Sequence, residues 1–320
     1  MRLCPGARCL SGQPFHQQEM ALDLPEIVTD TAAQRWSRRR FMAGVAGVAA
    51  LGSFATGCRS DVIKAHMLAA PVMPAGGASA SASAPATAAG VDADLISQRY
   101  GLKPFAPAPP PPAVKPITLS ASNPPVFSDV PLTDKVVFVT IDDGLEKEPG
   151  FIQMVKDLRV PIAIELANLF IKDDYAFFEK LYETGYVSIH NHTVNHPLSM
   201  PSLSAAQQLD EISGQQQILK QQYGVTPYIF RPPGGNYDEA TIAATGEAGL
   251  KGMMLWREAM EISDMQYQTA SHRLRPGDII LCHFRSPAQL DGETMVRMMT
   301  RLYRHIQDQG FTVGDITQYV

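Results

Sequence analysis

Two adjacent carboxylates follow an apolar stretch of the sequence. Residues 136–141 are apolar except for Thr140, and Asp142, Asp143 and Gly144 come directly after them. A stretch rich in β-branched residues is typical of a strand buried on both faces of a parallel sheet. Because neighbouring side chains at the end of a strand diverge, the two acids are free to do different work. Alone, the pair is equally compatible with an ordinary acidic turn.

Two histidines stand four residues apart in the segment Asn-His-Thr-Val-Asn-His-Pro. If this segment forms one helical turn, the rings of His192 and His196 share a face and can bind one cation. Two histidines at this spacing, taken by themselves, more often have a structural role than a metal-binding one. Joined by Asp143, however, it makes a set of two histidines and one aspartate, which leaves coordination positions open for water and substrate. Asp142 would then be placed to act as a base.

The reactive side chains follow strands in a strictly alternating pattern of strands and helices. The pattern predicts strands at residues 135–141, 161–166, 186–190, 228–231, 251–256, 278–283 and 311–313. It predicts helices at 150–158, 175–183, 205–223, 238–247 and 292–309, with a weak one at 266–273. The acids follow strand one and the histidines strand three, while Arg231, Trp256 and His283 end strands four, five and six. Strand C-termini meet on one face of a β/α barrel, where catalytic groups collect.

Four motifs occur in a fixed order: Thr-Ile-Asp-Asp-Gly, His-Thr-x-x-His-Pro, Phe-Arg-Pro-Pro-Gly-Gly and Leu-Cys-His. In order and rough spacing they resemble the polysaccharide deacetylases, the NodB-homology domain of carbohydrate esterase family 4, over residues 134–320. The resemblance implies a distorted (β/α)7 barrel and one divalent metal, Zn²⁺ first, with Co²⁺ or another divalent ion as alternatives. It also implies hydrolysis of N-acetyl groups on amino sugars, or of O-acetyl groups on some glycans.

The resemblance also implies a role for individual residues. Asp142 resembles the catalytic base, Arg231 the residue that holds and tunes it, and His283 the acid that protonates the leaving amine. The implied metal ligands are Asp143, His192 and His196, and the implied substrate and acetyl pocket includes Gly234, Leu281 and Trp256.

The sequence departs from the family at three places. The fourth motif, usually Asp-x-x-Asp-Trp, is nearest to Glu-Ile-Ser-Asp-Met here, so that either Glu261 or Asp264 could support the site. Gly234 replaces an aromatic residue of the third motif and widens the cleft. In the second strand, Glu165 stands where the family usually has an aromatic residue, and the sequence offers no physical reason for it.

The N-terminal third is predicted to be an export signal and a tether. Residues 37–42 form a twin-arginine pattern, followed by a Gly/Ala/Val-rich run that ends at Cys58 in a sequence resembling a lipobox. We therefore expect residues 1–58 to be an N-terminal extension and signal, with Met20 nearer the true start. The Ala/Ser/Pro-rich residues 59–126 are predicted to be a disordered linker, in which residues 92–102 could form a transient helix, and 127–320 the catalytic domain. The predicted location is outside the cytoplasm, as a membrane-anchored lipoprotein or otherwise secreted.

Composition limits the partners. The net charge of −5 and the lack of a basic run beyond the signal disfavour nucleic acid. The four cysteines do not have metal-finger spacing, and no disulfide framework is expected. The predicted partner is a glycan, the membrane is contacted only through the N-terminal lipid or signal anchor, and we expect a monomer.

Two alternatives stay open. One is a glycan-binding surface module on the same fold with weak catalysis, which the altered fourth motif suggests. The other is a serine or cysteine hydrolase, which needs a nucleophile beside a base. Cys282 adjoins His283, but the pair is disfavoured because neighbouring residues in a strand point to opposite faces.

Overall fold

A computed structural model describes residues 92–320 of the chain. The twin-arginine pattern, Cys58, the proposed start at Met20 and most of the predicted linker lie outside these residues. Within residues 92–320, none of the helices combines the length and the apolar character needed to span a membrane.

One ten-stranded sheet forms the framework. Its main path runs in the order β1-β6-β5-β4-β3-β2-β9-β7-β8, and β10 pairs with the first residues of β2. The pairs are parallel, except for the antiparallel hairpin of β7 and β8. The strands are β1 (Val126–Phe127), β2 (Val136–Asp143), β3 (Ile162–Leu166), β4 (Val187–Asn191), β5 (Ile229–Phe230), β6 (Gly252–Met254), β7 (Glu258–Met260), β8 (Met265–Tyr267), β9 (Ile279–His283) and β10 (Thr312–Val313).

Helices cover the outside of this sheet. They are α1 (Ala93–Tyr100), α2 (Pro149–Leu158), α3 (Asn168–Ile171), α4 (Tyr175–Tyr182), α5 (Ala205–Tyr223), α6 (Glu239–Glu247) and α7 (Met295–Asp308). A capping box begins α5, because Ser204 and Gln207 satisfy each other's backbone N–H groups, and the helix ends at Gly224 in the left-handed conformation. The predicted alternation of strands and helices is thereby confirmed from β2 to β6 and from β9 to β10, whereas β6 to β9 follow one another without a helix.

Strand β2 separates two cores. Val137, Val139 and Ile141 pack outward into the cluster that includes the helices, whereas Phe138 packs inward. There its ring meets Tyr319 edge to face, with centroids 5.0 Å apart. Because side chains on both faces of β2 are buried, residues 136–141 are apolar on both faces, with Thr140 as the exception. The result is an α/β half-barrel sheet covered by helices, which is consistent with the predicted distorted barrel.

Two predictions about elements are wrong. The weak helix at 266–273 is instead the end of a hairpin, since β8 pairs with β7 and residues 268–273 form no helix. The folded region also begins before residue 127. Ile96 and Leu102 are buried in the main core, and β1 pairs with β6. Residues 92–126 are therefore packed on the sheet and are not a disordered linker.

Candidate metal centre and acid–base site

The carboxyl ends of the strands carry the predicted reactive residues. Asp142 and Asp143 end β2, His192 follows β4, Arg231 follows β5, and His283 ends β9. The turn after β2 is very tight: Gly144 has φ +93°, and a Cβ there would lie 2.4 Å from Ile171 Cγ2. Only glycine fits this turn, which carries the chain away directly behind the two acids.

Asp143, His192 and His196 form a cluster suited to a metal ion. One ligand atom from each lies within 4.8 Å of the others. Asp143 Oδ1 is 3.0 Å from His196 Nε2 and 3.6 Å from His192 Nε2. The Nδ1–H of His192 donates to the Arg231 carbonyl at 2.7 Å, which leaves Nε2 directed to the cluster. A histidine ligand held through its other nitrogen is the usual arrangement in metal sites.

The electrostatics of this cluster favour a bound positive charge. Burial opposes the ionisation of Asp143, but His192 and His196 outweigh it and hold its pKa well below the usual range. Burial likewise opposes protonation of His192, yet Asp142 and Asp143 together raise its pKa. Among the described residues, Asp143 Oδ1 is buried without a hydrogen bond of good geometry. The donor set of one carboxylate and two imidazoles therefore fits a divalent cation.

The two histidines do not lie on a helical turn. Thr193 and His196 have φ values of 73° and 53°, in the left-handed region, and residues 192–196 form a loop. The Glu211 carboxylate on α5 holds this loop, accepting from Val194 N at 3.0 Å and from Asn195 N at 2.8 Å. Backbone strain of this kind persists only where surrounding contacts enforce it.

Asp142 is paired with Arg231 inside the barrel. Arg231 Nη1 donates to Asp142 Oδ1 at 2.6 Å and to Thr140 Oγ1 at 2.9 Å. Its Nε donates to the Met254 carbonyl at 3.0 Å, so that the guanidinium is fixed from several sides. The other oxygen of Asp142, Oδ2, lies 3.6 Å from His192 Nε2, beside the ligand cluster. The two acids of β2 thus meet different partners.

His283 is paired with Asp142 in the sheet register and contacts a second arginine. Arg285 Nη2 lies 3.3 Å from His283 Nδ1 and 2.8 Å from Glu261 Oε2. Because a guanidinium only donates, His283 Nδ1 is the acceptor and the ring proton sits on Nε2. Burial lowers the pKa of His283. Of the two acids left open by the sequence, Glu261 reaches this arrangement, whereas Asp264 accepts from Met265 N.

The remaining predicted pocket residues surround this site unevenly. Gly234 lies in a turn after Arg231 with φ 63°. The Trp256 ring centroid is 5.7 Å from Arg231 Cζ, in reach of a cation–π contact. Leu281 is buried on β9, two residues before His283 and hence on the same side of that strand.

The structure argues against Cys282 as a nucleophile. Its side chain packs in the outer core with the helices, on the opposite side of β9 from Leu281 and His283. Burial raises the pKa of the thiol, which opposes formation of the thiolate.

Sequence reasoning did not find Arg285 and Glu211 among the site residues. Arg285 lies two residues after His283, and this spacing could have predicted that its side chain lies on the same side of the chain as the His283 ring. Glu211 gave no such signal, because it contacts the histidine loop from a helix that begins nine residues after His196.

Sequence comparison finds relatives of one kind. The polysaccharide deacetylase family profile matches residues 129–253. The chain is 34% identical over 198 residues to an uncharacterized protein of Streptomyces coelicolor, covering 62% of this chain and 78% of that protein. It is 23% identical over 203 residues to a peptidoglycan-N-acetylglucosamine deacetylase of Bacillus cereus, covering 60% of this chain and 92% of that protein.

Solved structures share the fold. The Bc1960 peptidoglycan N-acetylglucosamine deacetylase superposes with a TM-score of 0.52 at 19% identity, covering 62% of this chain and 93% of that one. BA3943, a CE4 family pseudoenzyme from Bacillus anthracis, superposes with a TM-score of 0.50 at 19% identity, covering 61% and 69%. At these identities the likeness concerns the fold alone.

Proposed function

The chain belongs to the polysaccharide deacetylase family, and on this premise we propose that it is a metal-dependent hydrolase of acetyl groups on a polysaccharide of the cell envelope or outside the cell. N-acetyl groups of amino sugars are the first choice of substrate. The observation that carries the proposal is the cluster of Asp143, His192 and His196 beside the Asp142–Arg231 pair. It combines a cation site with a carboxylate positioned to accept a proton.

Asp143, His192 and His196 would hold the metal, with Zn²⁺ as the first choice and Co²⁺ or another divalent ion as alternatives. When bound, such a cation supplies Lewis acidity toward the acyl oxygen and lowers the pKa of water that it binds. His192 is kept in the ligand tautomer by its Nδ1–H bond to the Arg231 carbonyl.

Asp142 accepts the proton of the attacking water. Its Oδ1 is held by Arg231 at 2.6 Å, which leaves Oδ2, on the side of the ligand cluster, as the accepting atom. Amide hydrolysis requires such a base within hydrogen-bond reach of the nucleophile. Removing Asp142 should therefore stop turnover without removing the metal ligands.

His283 donates through Nε2–H to the leaving nitrogen. The Glu261–Arg285 pair fixes the ring by occupying Nδ1. An amine leaves only when its nitrogen is protonated. Because the Arg285 contact keeps the resting ring neutral, His283 can supply that proton only after Nδ1 has bound a second proton in place of the Arg285 contact, so that neutral imidazole is left when Nε2–H is given up. Leu281, Trp256 and Gly234 form the proposed acetyl pocket.

The proposed location rests on the predicted signal, and the choice of glycan rests on that location. A twin-arginine export pattern and Cys58 favour a monomeric lipoprotein facing the cell envelope. Peptidoglycan is then the first glycan to test, and the relative from Bacillus cereus is named for that substrate.

The test is acetate release from peptidoglycan, chitooligosaccharide and acetylxylan. We expect activity with added Zn²⁺ or Co²⁺, its loss with chelator, and at least a hundredfold loss in Asp142→Asn. In His192→Ala and His196→Ala, both bound metal and activity should be lost. Retention of stoichiometric metal by either histidine variant would overturn the ligand assignment.

A glycan-binding module with weak catalysis is the second candidate, since the fourth motif departs from the family. Acetate release no higher than that of Asp142→Asn on all three glycans, together with retained glycan binding, would favour it. The same experiment therefore separates the two functions.

A further inference from the structure

A second carboxylate contacts the arginine that holds Asp142. Glu165 lies on β3 directly opposite Asp142 in the sheet register. Its Oε2 is 3.3 Å from Arg231 Nη1, and both side chains are fully buried. No comparable carboxylate is required by the proposed chemistry, which needs one base and one arginine.

Glu165 stands where an apolar residue would be expected. It is the single charged residue of a five-residue strand whose members are all buried. A buried carboxyl group costs free energy unless its partners compensate for it. Here the compensation is partial, because within residues 92–320 its Oε1 has no hydrogen-bond partner. A buried carboxyl group with one unpaired oxygen is unfavourable for packing alone, and it therefore indicates a role in the site.

Arg231 donates to five acceptors, and Glu165 is one of them. Nε donates to Met254 O, Nη2 to Leu255 O at 3.3 Å, and Nη1 to Thr140, Asp142 and Glu165. The first two acceptors lie on the β6 side of the guanidinium. Glu165 is the acceptor that β3 supplies to Nη1, and Thr140 and Asp142 are those that β2 supplies.

We propose that Glu165 is a positioning residue that holds the Arg231 guanidinium on Asp142 Oδ1, so that Asp142 Oδ2 stays directed toward the ligand cluster. Glu165 acts through Arg231 and does not touch the substrate. Burial raises the pKa of Glu165 well above its usual range, in keeping with a neutral acid beside the Arg231–Asp142 ion pair. The inference rests on the proposed deacetylase function.

The test compares Glu165→Leu with Glu165→Gln. Leucine fills a similar volume without an acceptor, whereas glutamine keeps an acceptor for Arg231. Removing one partner of a buried charged group costs stability, but Asp142 still pairs with the buried Arg231 in both variants, so that both are expected to fold, which circular dichroism verifies before the kinetics. Glu258→Gln is the matched control, because Glu258 is also fully buried, on β7, and lies 3.4 Å from Arg275.

We expect Glu165→Leu to lower kcat about 10- to 100-fold with KM and Zn²⁺ affinity within twofold of the wild type. Glu165→Gln should recover most of the loss, and Glu258→Gln should match the wild type at the same pH. A Glu165→Leu kcat within twofold of the wild type, or a Glu165→Gln variant as impaired as Glu165→Leu, would overturn the proposal.

A second readout does not depend on turnover. The ¹⁵Nη signals of Arg231 should show slow rotation of the guanidinium in the wild type and in Glu165→Gln, and faster rotation in Glu165→Leu. If the wild type releases no acetate but these signals respond as expected, the deacetylase function fails and the positioning role stands. Unchanged Arg231 signals in Glu165→Leu would refute the role regardless of activity.

Discussion

Asp142 and Asp143 are neighbours in the chain but have different surroundings. Asp142 is 2% exposed and bonded to Arg231, whereas Asp143 faces two imidazoles. This separation follows from the alternation of side chains along β2 and from the φ of 78° at Asp143, which turns the chain there. Two adjacent aspartates can thereby do different work, Asp143 binding a cation and Asp142 accepting a proton.

Arg285 is expected to set the tautomer of His283. Its charged donor at Nδ1 is worth about 1.5–3 kcal/mol, which corresponds to roughly a tenfold or greater change in rate if the tautomer matters for turnover. In Arg285→Met we expect a mixture of His283 tautomers in ¹⁵N NMR, assigned with His283→Gln, and about a tenfold lower kcat. Asp264→Asn is the control, because that residue caps Met265. A single unchanged tautomer in Arg285→Met would contradict the assignment.

At the scale of elements, the histidine loop depends on α5. Glu211 accepts three hydrogen bonds from the loop, two from backbone N–H groups and one from Asn195 Nδ2 at 2.7 Å. It touches neither imidazole, so that its effect on the ligands must pass through the backbone of residues 193–196. The loop keeps left-handed residues that an unrestrained chain would avoid.

Removing Glu211 should therefore weaken metal binding. In Glu211→Ala we expect the Kd for Zn²⁺ to rise about tenfold, the usual scale for residues that orient metal ligands from outside. Titration calorimetry with Zn²⁺ measures this without any substrate. Asp210→Ala is the control, since Asp210 precedes Glu211 on α5 and is exposed. Equal Zn²⁺ affinities for the two variants would show that the loop holds its shape unaided.

The β7–β9 edge of the sheet carries a buried acid with a pH-dependent contribution to stability. Burial, with Asp278 nearby, raises the pKa of Glu258 to about 7 from the ordinary value of 4.5. Between these values the folded protein binds a proton that the unfolded chain does not. The contribution of protonated Glu258 to the free energy of unfolding is therefore complete below pH 4.5 and is lost as the pH rises through 7.

Urea unfolding at pH 5 and pH 8 tests this contribution. The wild type should lose about 1–2 kcal/mol more of its free energy of unfolding between the two pH values than Glu258→Gln does. The control Glu183→Gln, at an exposed position, should follow the wild type. A Glu258→Gln variant with the pH dependence of the wild type would show that this acid is ionised throughout the range.

Part of this fold could be predicted because local signals agreed with it. The β-branched run of β2 and the capping box of α5 are readable from a few residues each. The hairpin of β7 and β8 was missed because its three-residue strands are fixed by pairing, β8 with β7 and β7 with β9, and not by their own propensity. The contacts of Glu165 and Arg231 join residues 66 positions apart, which no local pattern reveals.

At the scale of the whole molecule, the segment before the sheet is part of the folded body. Ile96 is fully buried, and Tyr100 donates to Asp157 Oδ2 on α2 at 2.8 Å. Farther along, Lys115 Nζ donates to the carbonyls of Thr317 and Val320 at 3.1 and 2.6 Å. The Ala/Pro-rich composition of the segment did not indicate that these residues pack on the folded body, although Ile96 and Tyr100 have the i, i+4 spacing of a helix face.

A chain of residues 127–320 should accordingly be less stable than one of residues 92–320. Loss of the buried side chains of Ile96, Tyr100 and Leu102 removes about 5 kcal/mol of burial, and a domain of this size then melts roughly 10 °C lower. Ile96→Ala in the longer chain should cost about 2–4 kcal/mol, whereas Val114→Ala, at a position 84% exposed, should cost nothing measurable. Calorimetry of the four proteins checks the expectation. Melting temperatures of the two chains within about 2 °C of each other would restore the linker reading for residues 92–126, because packing that contributes to the core cannot be removed without a thermal effect.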